Sequence, residues 1–356
     1  MRTYLLHQDH RETYVMADSM LCRRKERDLI VRWLINSLDD DSETQVSTKH
    51  VSVMSIVGHT GVGKTTLARL VYNDWRVRDH FDLVAWVSVS ANLDVAEVTR
   101  KIIEDFTGCP CQCADLDGME QILRDKLSST KAALLVLDDV WEDKARDQME
   151  KLFCVFKASK TRCKILLTTR MQSVTTLVQL VTGCEEQNLR LHELDNNENL
   201  HLFWRYAFAG QEVGAQDYLK LRTIGAKIAK KKLGGTPMVT RVASQNLQLH
   251  FNLDYWHRFL QDLCNFGATA AGTLNFLKIS YDSLSTEQQI CFRFCSLFPK
   301  NYPFKKEELV QTWIWSGLIS SQLHGEKEED LGELYLARLT AYLLFDRFGG
   351  ENEEPA

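Results

Sequence analysis

Val51-Ser-Val-Met-Ser-Ile-Val57, followed at once by Gly58-His-Thr-Gly-Val-Gly63-Lys64-Thr65, is the stretch on which the fold turns. An apolar, β-prone run meets the pattern G-x-x-x-x-G-K-[ST], and Leu67-Ala-Arg-Leu-Val-Tyr72 beyond it favours a helix. A strand that ends in glycines lets the backbone turn tightly, so successive N–H groups and the next helix N-terminus aim at one anion. Here Gly58, Gly61, Val62 and Gly63 form the cradle, and Lys64 supplies a cation for β- and γ-phosphates. Thr65 and Thr66 open the helix, with the Thr65 hydroxyl placed to hold Mg2+. The expected ligand is a nucleotide.

Three further short apolar runs are separated by helix-length segments: Leu83-Val-Ala-Trp-Val-Ser88, Ala133-Leu-Leu-Val-Leu137 and Lys164-Ile-Leu-Leu-Thr168. Such runs read as strands buried on both faces, and their alternation with helices predicts a parallel sheet, an α/β P-loop NTPase domain. Two of the runs end in chemistry. At the carboxyl end of Leu134-Leu-Val-Leu137, Asp138 can hold Mg2+ directly or through water, while Asp139 can orient or activate a water as catalytic base. Thr168-Thr-Arg170 ends the other run. Ligands of doubly wound sheets sit beyond the strands' carboxyl ends, so Arg170 can reach a γ-phosphate and tell ATP from ADP.

Composition narrows the classes. At 356 residues the chain exceeds one typical domain, and a hydrophobic content of 44% supports more than one core. A net charge of −5 offers no basic surface for bulk nucleic-acid binding. Ten cysteines lack a regular framework, and the start Met1-Arg-Thr-Tyr-Leu-Leu-His7 has no apolar signal core, which fits reduced thiols in the cytoplasm. The tight cluster Cys109-Pro-Cys-Gln-Cys113 has spacing that suits a soft metal. It lacks a second ligand pair nearby, and a surface loop after a helix over 95–106 is the simpler reading. No window of about 18 uncharged apolar residues occurs, so no transmembrane helix is expected.

Around this module the pattern changes twice. A patternless lead-in over 1–20 precedes a helix with Ile30, Trp33, Leu34 and Leu38 on one face. Past about residue 190 helices dominate, over 196–208, 219–232 and 238–247. Lys227, Lys230, Lys231 and Lys232 ahead of Gly234-Gly235 read as a helix C-terminal stop. Beyond Gly267-Ala-Thr-Ala-Ala-Gly272 come short helices over 274–284, 287–297 and 307–319, then the acidic end Glu351-Asn-Glu-Glu-Pro-Ala356.

Five segments, in order along nearly the whole chain, together resemble the NB-ARC module of plant intracellular immune receptors, shared with the apoptosome scaffold. They are the phosphate loop, Phe81-Asp-Leu-Val-Ala-Trp-Val-Ser-Val-Ser90, Leu134-Leu-Val-Leu-Asp-Asp-Val-Trp141, Lys164-Ile-Leu-Leu-Thr-Thr-Arg170 and Cys291-Phe-Arg-Phe-Cys-Ser-Leu-Phe-Pro299. Trp141 after Asp-Asp-Val resembles the NLR (nucleotide-binding leucine-rich repeat) receptors whose N-terminal domain is a coiled coil. The resemblance implies a P-loop domain over 21–188, a helical domain over 189–272 and a C-terminally truncated winged-helix domain over 273–348. A lead-in linker (1–20) and a disordered tail (349–356) flank them. Leu21-Cys-Arg-Arg-Lys-Glu26 is similar to the family's Val-Gly-Arg-x-x-Glu, with Cys22 for glycine, which implies that Leu21 and Arg23 lie beside base and ribose. Gly235-Thr-Pro-Met238 is similar to Gly-Leu-Pro-Leu, with Pro237 against the adenine.

Winged helices are often associated with DNA, yet Glu307 to Ile319 contains no Lys or Arg, so no direct nucleic-acid binding is expected. Trp313, Trp315 and Leu318 there read as core or interdomain packing. The family's Met-His-Asp motif, whose histidine contacts the ADP β-phosphate, is not found. The chain stops about where that motif should begin, so truncation is expected. The coiled coil and leucine-rich repeats, the receptor domains that would be its partners, are not found either.

The function implied is an ADP/ATP-binding switch of such a receptor, using Mg2+, closed with ADP and activated by exchange for ATP, then able to oligomerise for defence signalling. At most slow ATPase activity is expected of it. Two other readings stay open: a turnover P-loop ATPase with Asp139 as base, and a truncated interaction protein that binds full-length receptors through its helical surface.

Overall fold

Val51–Val57 forms strand β1 because its residues are β-branched or apolar nearly throughout and find apolar partners on both faces. The computed structural model describes residues 22–36, 50–89, 93–141, 146–185, 187–210, 215–231, 233–265, 281–298, 304–319 and 327–341, with Lys278, Tyr302, Leu344 and Phe345. By contact the chain divides into two units, residues 1–192 and 193–356.

In the first unit, helix α1 (Arg24–Asn36) precedes β1, and α2 (Lys64–Tyr72) and α3 (Trp75–His80) follow it. Then come β2 (Leu83–Ser88), α4 (Val95–Thr107), α5 (Leu116–Ser128), β3 (Ala132–Val140), α6 (Arg146–Ala158), β4 (Arg162–Thr169), α7 (Gln172–Thr182) and β5 (Asn188–Arg190). All pairings are parallel, in the order β2-β3-β4-β1-β5. The strand period of two sends alternate side chains to opposite faces. Ala133, Leu135 and Leu137 of β3 enter one core with Ile102, Phe153 and Phe156, whereas Leu134 and Val136 enter the other with Ile30, Leu34, Leu67 and Val71. Thus α2, which follows β1, covers one face, and α6 and α7, which follow β3 and β4, cover the other. The chain leaves β1 toward β2 on one side of the sheet and leaves β4 toward β5 on the other, so the carboxyl ends of the neighbouring strands β1 and β4 mark the switch point where a doubly wound sheet takes its ligand.

β2 runs over the residues its pattern predicts, and β3 and β4 each extend by one or more residues at both ends of theirs. One irregularity breaks the β3–β4 ladder. Leu137 pairs with Leu167, but Val140 pairs with Thr169, so β3 carries one extra residue, and Asp139 takes a left-handed φ of 57°.

The second unit is helical: α8 (Asn196–Ala207), α9 (Ala215–Lys231), α10 (Pro237–Leu249) and α11 (Leu253–Asn265) share a core of Phe203, Ile228, Val242, Leu247 and Trp256. Asp195 starts α8 with a reciprocal cap to Glu198, and Pro237 occupies the first turn of α10, where no N–H is needed. Further on, α12 (Thr286–Phe294), a 3-10 turn (Cys295–Leu297), α13 (Lys306–Trp315) and α14 (Glu328–Ala341) surround Leu284, Cys291, Leu309, Trp313 and Leu339. Of the two tryptophans read as core or interdomain packing, Trp313 is fully buried in the core and Trp315 is 81% exposed, so the core reading holds for the first and not for the second. Two positions apart on a helix are about 200° apart around the axis, so both cannot face one core. The lead-in, the boundary glycines 267–272, most of the helix expected over 274–284 and the acidic tail lie outside the described residues. Among the described residues, no helix is long and apolar enough to cross a membrane.

Candidate nucleotide-binding site

The turn from β1 to α2 is made by backbone that only glycine adopts easily. Gly61 and Gly63 have φ of 78° and 99°. A side chain on Gly58 would stand 2.8 Å from the Leu191 carbonyl oxygen, so the loop's first glycine is set by close packing against the chain after β5. Val62 is fully buried and anchors the loop to the α2 core, while Thr66 faces solvent from the first turn.

Lys64 folds back over this loop. Its Nζ donates to the carbonyl oxygens of Gly58 (2.9 Å) and His59 (3.0 Å). Burial, followed by repulsion from the Arg170 guanidinium, pulls its pKa down to about 8, although Asp139 and Asp138 pull the other way. The ammonium is therefore poorly compensated where it stands, which is the condition of a group suited to receive an anion.

One residue on, the Thr65 hydroxyl donates to Asp138 Oδ1 at 2.9 Å, joining the start of α2 to the end of β3. The same carboxylate oxygen accepts from the fully buried Thr168 hydroxyl at 2.6 Å, and that hydroxyl in turn accepts the Asp139 N–H at 2.8 Å. Burial pushes the Asp138 carboxyl up against the pull of these two hydroxyls. A hydroxyl beside a carboxylate is a hard oxygen pair of the kind that takes Mg2+ with waters and phosphate oxygens, so these residues fit that ion. Arg170, at the end of β4, pairs its Nε with Asp139 Oδ1 at 3.5 Å and lays its guanidinium carbon 3.9 Å from the centre of the Trp141 ring.

Lys64, Thr65, Asp138, Asp139 and Arg170 thus converge at one end of the sheet. Arg23, at a left-handed φ of 67°, reaches the loop from outside, donating to the Val62 carbonyl at 3.4 Å and to the His192 carbonyl. Leu21 lies outside the described residues, and Pro237 belongs to the second unit. Thr168 and Trp141 are the members whose side-chain roles the sequence pattern left unassigned. A hydroxyl closing an apolar strand two residues before the arginine was the available signal for the first.

The model of the NB-ARC domain matches residues 28–213, more than half of the chain, and that of the disease resistance protein winged helix domain matches 297–355. A putative disease resistance protein of Arabidopsis thaliana is 35% identical over 88% of this chain and 21% of its own length. The putative disease resistance RPP13-like protein 1 of the same plant is 31% identical over 91% of this chain and 30% of its own. Disease resistance protein RGA2 of Solanum bulbocastanum is 32% identical over 88% of this chain and 31% of its own. The chain therefore spans about a fifth to a third of the length of these relatives. Among solved structures, the ORC1 protein of Aeropyrum pernix in complex with DNA superimposes with a TM-score of 0.45 at 14% identity over 90% of this chain and 83% of its own, too weak a likeness to bear on fold or function. With a phosphate loop, an acidic strand end and an arginine on adjoining strands inside the matched segment, the chain belongs to the NB-ARC family.

Proposed function

We propose that this chain is the ADP/ATP-binding switch of an intracellular plant immune receptor, resting with ADP and activated by exchange for ATP in the cytoplasm. The observation that carries the reading is the convergence of Lys64, Thr65, Asp138, Asp139 and Arg170 at the carboxyl ends of β1, β3 and β4. Nucleotide binding is implied by the family, and its disease-resistance relatives point to immunity.

In this reading the loop from Gly58 to Gly63 cradles the phosphates, and Lys64 leaves its two loop carbonyls to pair with them. Thr65 and Asp138 would hold Mg2+, an ion that would supply screening of the phosphate charge. Asp139 is placed to orient a water for slow hydrolysis, and Arg170 answers to the γ-phosphate. Pro237 is assigned to the adenine, and Arg23 and Leu21 to the side of the base and ribose, by likeness to the family alone. A nucleotide shifts a conformational balance only as far as it binds one form better, so a group that meets ATP and not ADP is what a switch requires.

The test is to purify the chain without added nucleotide, denature it and measure what is released. Near-stoichiometric ADP supports the switch; a folded protein that releases nothing and binds neither ADP nor ATP when they are added overturns it.

Two expected results belong with this reading. Because the Lys64 pKa lies at about 8 in the empty protein and phosphate favours its charged form, binding takes up a proton above that pH. Affinity for ADP should hold nearly level below pH 8 and fall by up to about tenfold per unit above it, as titrations in buffers from pH 7 to 9.5 would register. Asp138→Asn keeps an oxygen for both hydroxyls but removes a buried charge. The empty variant should melt at the same temperature or higher, and the Mg2+ stimulation of ATP binding should drop by about tenfold or more, measured by titration with and without EDTA.

A further inference from the structure

Trp141 and Arg170 meet because of the irregularity in β3. In the register that holds up to Leu137–Leu167, residue 141 would stand opposite 171; the extra residue at Asp138-Asp139 lets Val140 pair with Thr169, and so brings Trp141 opposite Arg170. The left-handed backbone of Asp139 that absorbs the extra residue is held by its N–H bond to the Thr168 hydroxyl. The guanidinium then lies between two groups, the indole face at 3.9 Å and the Asp139 carboxylate at 3.5 Å, while standing close enough to Lys64 to repel its ammonium.

We infer that Trp141 is a positioning residue: its ring holds Arg170 in a parked place beside Asp139, and so sets how strongly the site prefers ATP over ADP. This rests on the reading of Arg170 as the γ-phosphate's partner. A guanidinium that binds a phosphate with its N–H fork must leave an indole face and a carboxylate. ADP lacks the group that would draw Arg170 away, so the stack is retained with ADP and given up with ATP. The ring thus opposes ATP selectively. The parked arginine also neutralises the carboxylate placed to orient a water, so one contact withholds both sensor and base until the γ-phosphate arrives. A cation over an indole face is worth roughly a 3- to 30-fold bias when partly shielded from water.

The experiment measures Kd for ADP and for ATP, each with Mg2+, on the whole chain. Trp141→Leu, which keeps apolar volume without a ring, should raise the ATP-over-ADP preference roughly 3- to 30-fold with ADP affinity unchanged, and Trp141→Phe should raise it by about two- to threefold. In the Arg170→Gln background the same substitution should change the preference no further, a coupling that a merely structural role would not produce. An unchanged or lowered preference in Trp141→Leu, or an equal rise without Arg170, overturns the inference. If Trp141→Leu fails to bind ADP, the Trp141→Phe result decides. Should Arg170→Gln itself leave the preference of the parent protein untouched, the γ-phosphate reading falls; if it lowers the preference while Trp141→Leu does not raise it, only the platform falls.

Discussion

Lys64→Ala is expected to lose about a hundredfold or more in affinity for both ADP and ATP while the nucleotide-free protein melts at an unchanged or higher temperature. The two halves have one cause. Lys64 is 6% exposed, and its ammonium donates to two neutral acceptors, the Gly58 and His59 carbonyls, so burial disfavours its charge. Removing it relieves the folded state of that charge, and the exposed His59 carbonyl turns to water. When phosphate is present the sign reverses, because each charge-assisted hydrogen bond contributes about 1.5–3 kcal/mol and two of them make about two decades or more of affinity. Calorimetric titration with each nucleotide and a melt of the empty protein measure both halves. Retained affinity would mean that the phosphate site is not at this loop.

Whether a feature is made by contiguous residues or by contacts across strands decides which parts of the site could be read in advance. Motifs fixed by local backbone need, such as Gly58 to Thr65 after β1, are visible because strand, glycines and lysine are contiguous. β2 to β4 are visible because strands covered on both faces must be apolar throughout. Contacts made across strands are not. Trp141 and Arg170 are each conspicuous, but their stacking depends on a one-residue slip in β3 that no propensity encodes, since a left-handed aspartate is imposed by its surroundings. β5 has only three residues and no apolar run; it exists because the outer edge of β1 takes up Gln187 and Leu191 through backbone bonds. Lys164 shows a converse limit. Lysine side chains ordinarily end in water, and nothing in the pattern says what receives this one, yet it is 4% exposed, with its ammonium 4.6 Å from the centre of the Trp33 ring on α1. Trp313 and Trp315 are equally apolar on paper, and only the helical rotation between them decides which one is buried.

Trp256→Ala is expected to lower the stability of the helical unit by about 3–5 kcal/mol. The side chain is fully buried and stands edge to face with Phe203, Phe208 and Phe251, at centroid distances of 6.1, 5.6 and 5.7 Å. Its Nε1 donates to the Leu247 carbonyl at 3.0 Å, satisfying one of the last-turn carbonyls of α10 that has no partner within the helix. Alanine empties the meeting point of α8, α10 and α11, and the cavity cannot close without moving helices that also share Ile228 and Val242. Trp256→Phe retains most of the packing and forfeits the hydrogen bond, so it should cost about 1–2 kcal/mol. This cluster shares no residue with the two cores of the sheet, so the loss should be local. Hydrogen exchange should show amides of α8, α10 and α11 exchanging far faster in Trp256→Ala while β1, β3 and β4 keep their protection. Equal loss of protection in the strands would show instead that the two units unfold as one, and that the energy of the nucleotide site is coupled to the helical core through the whole chain.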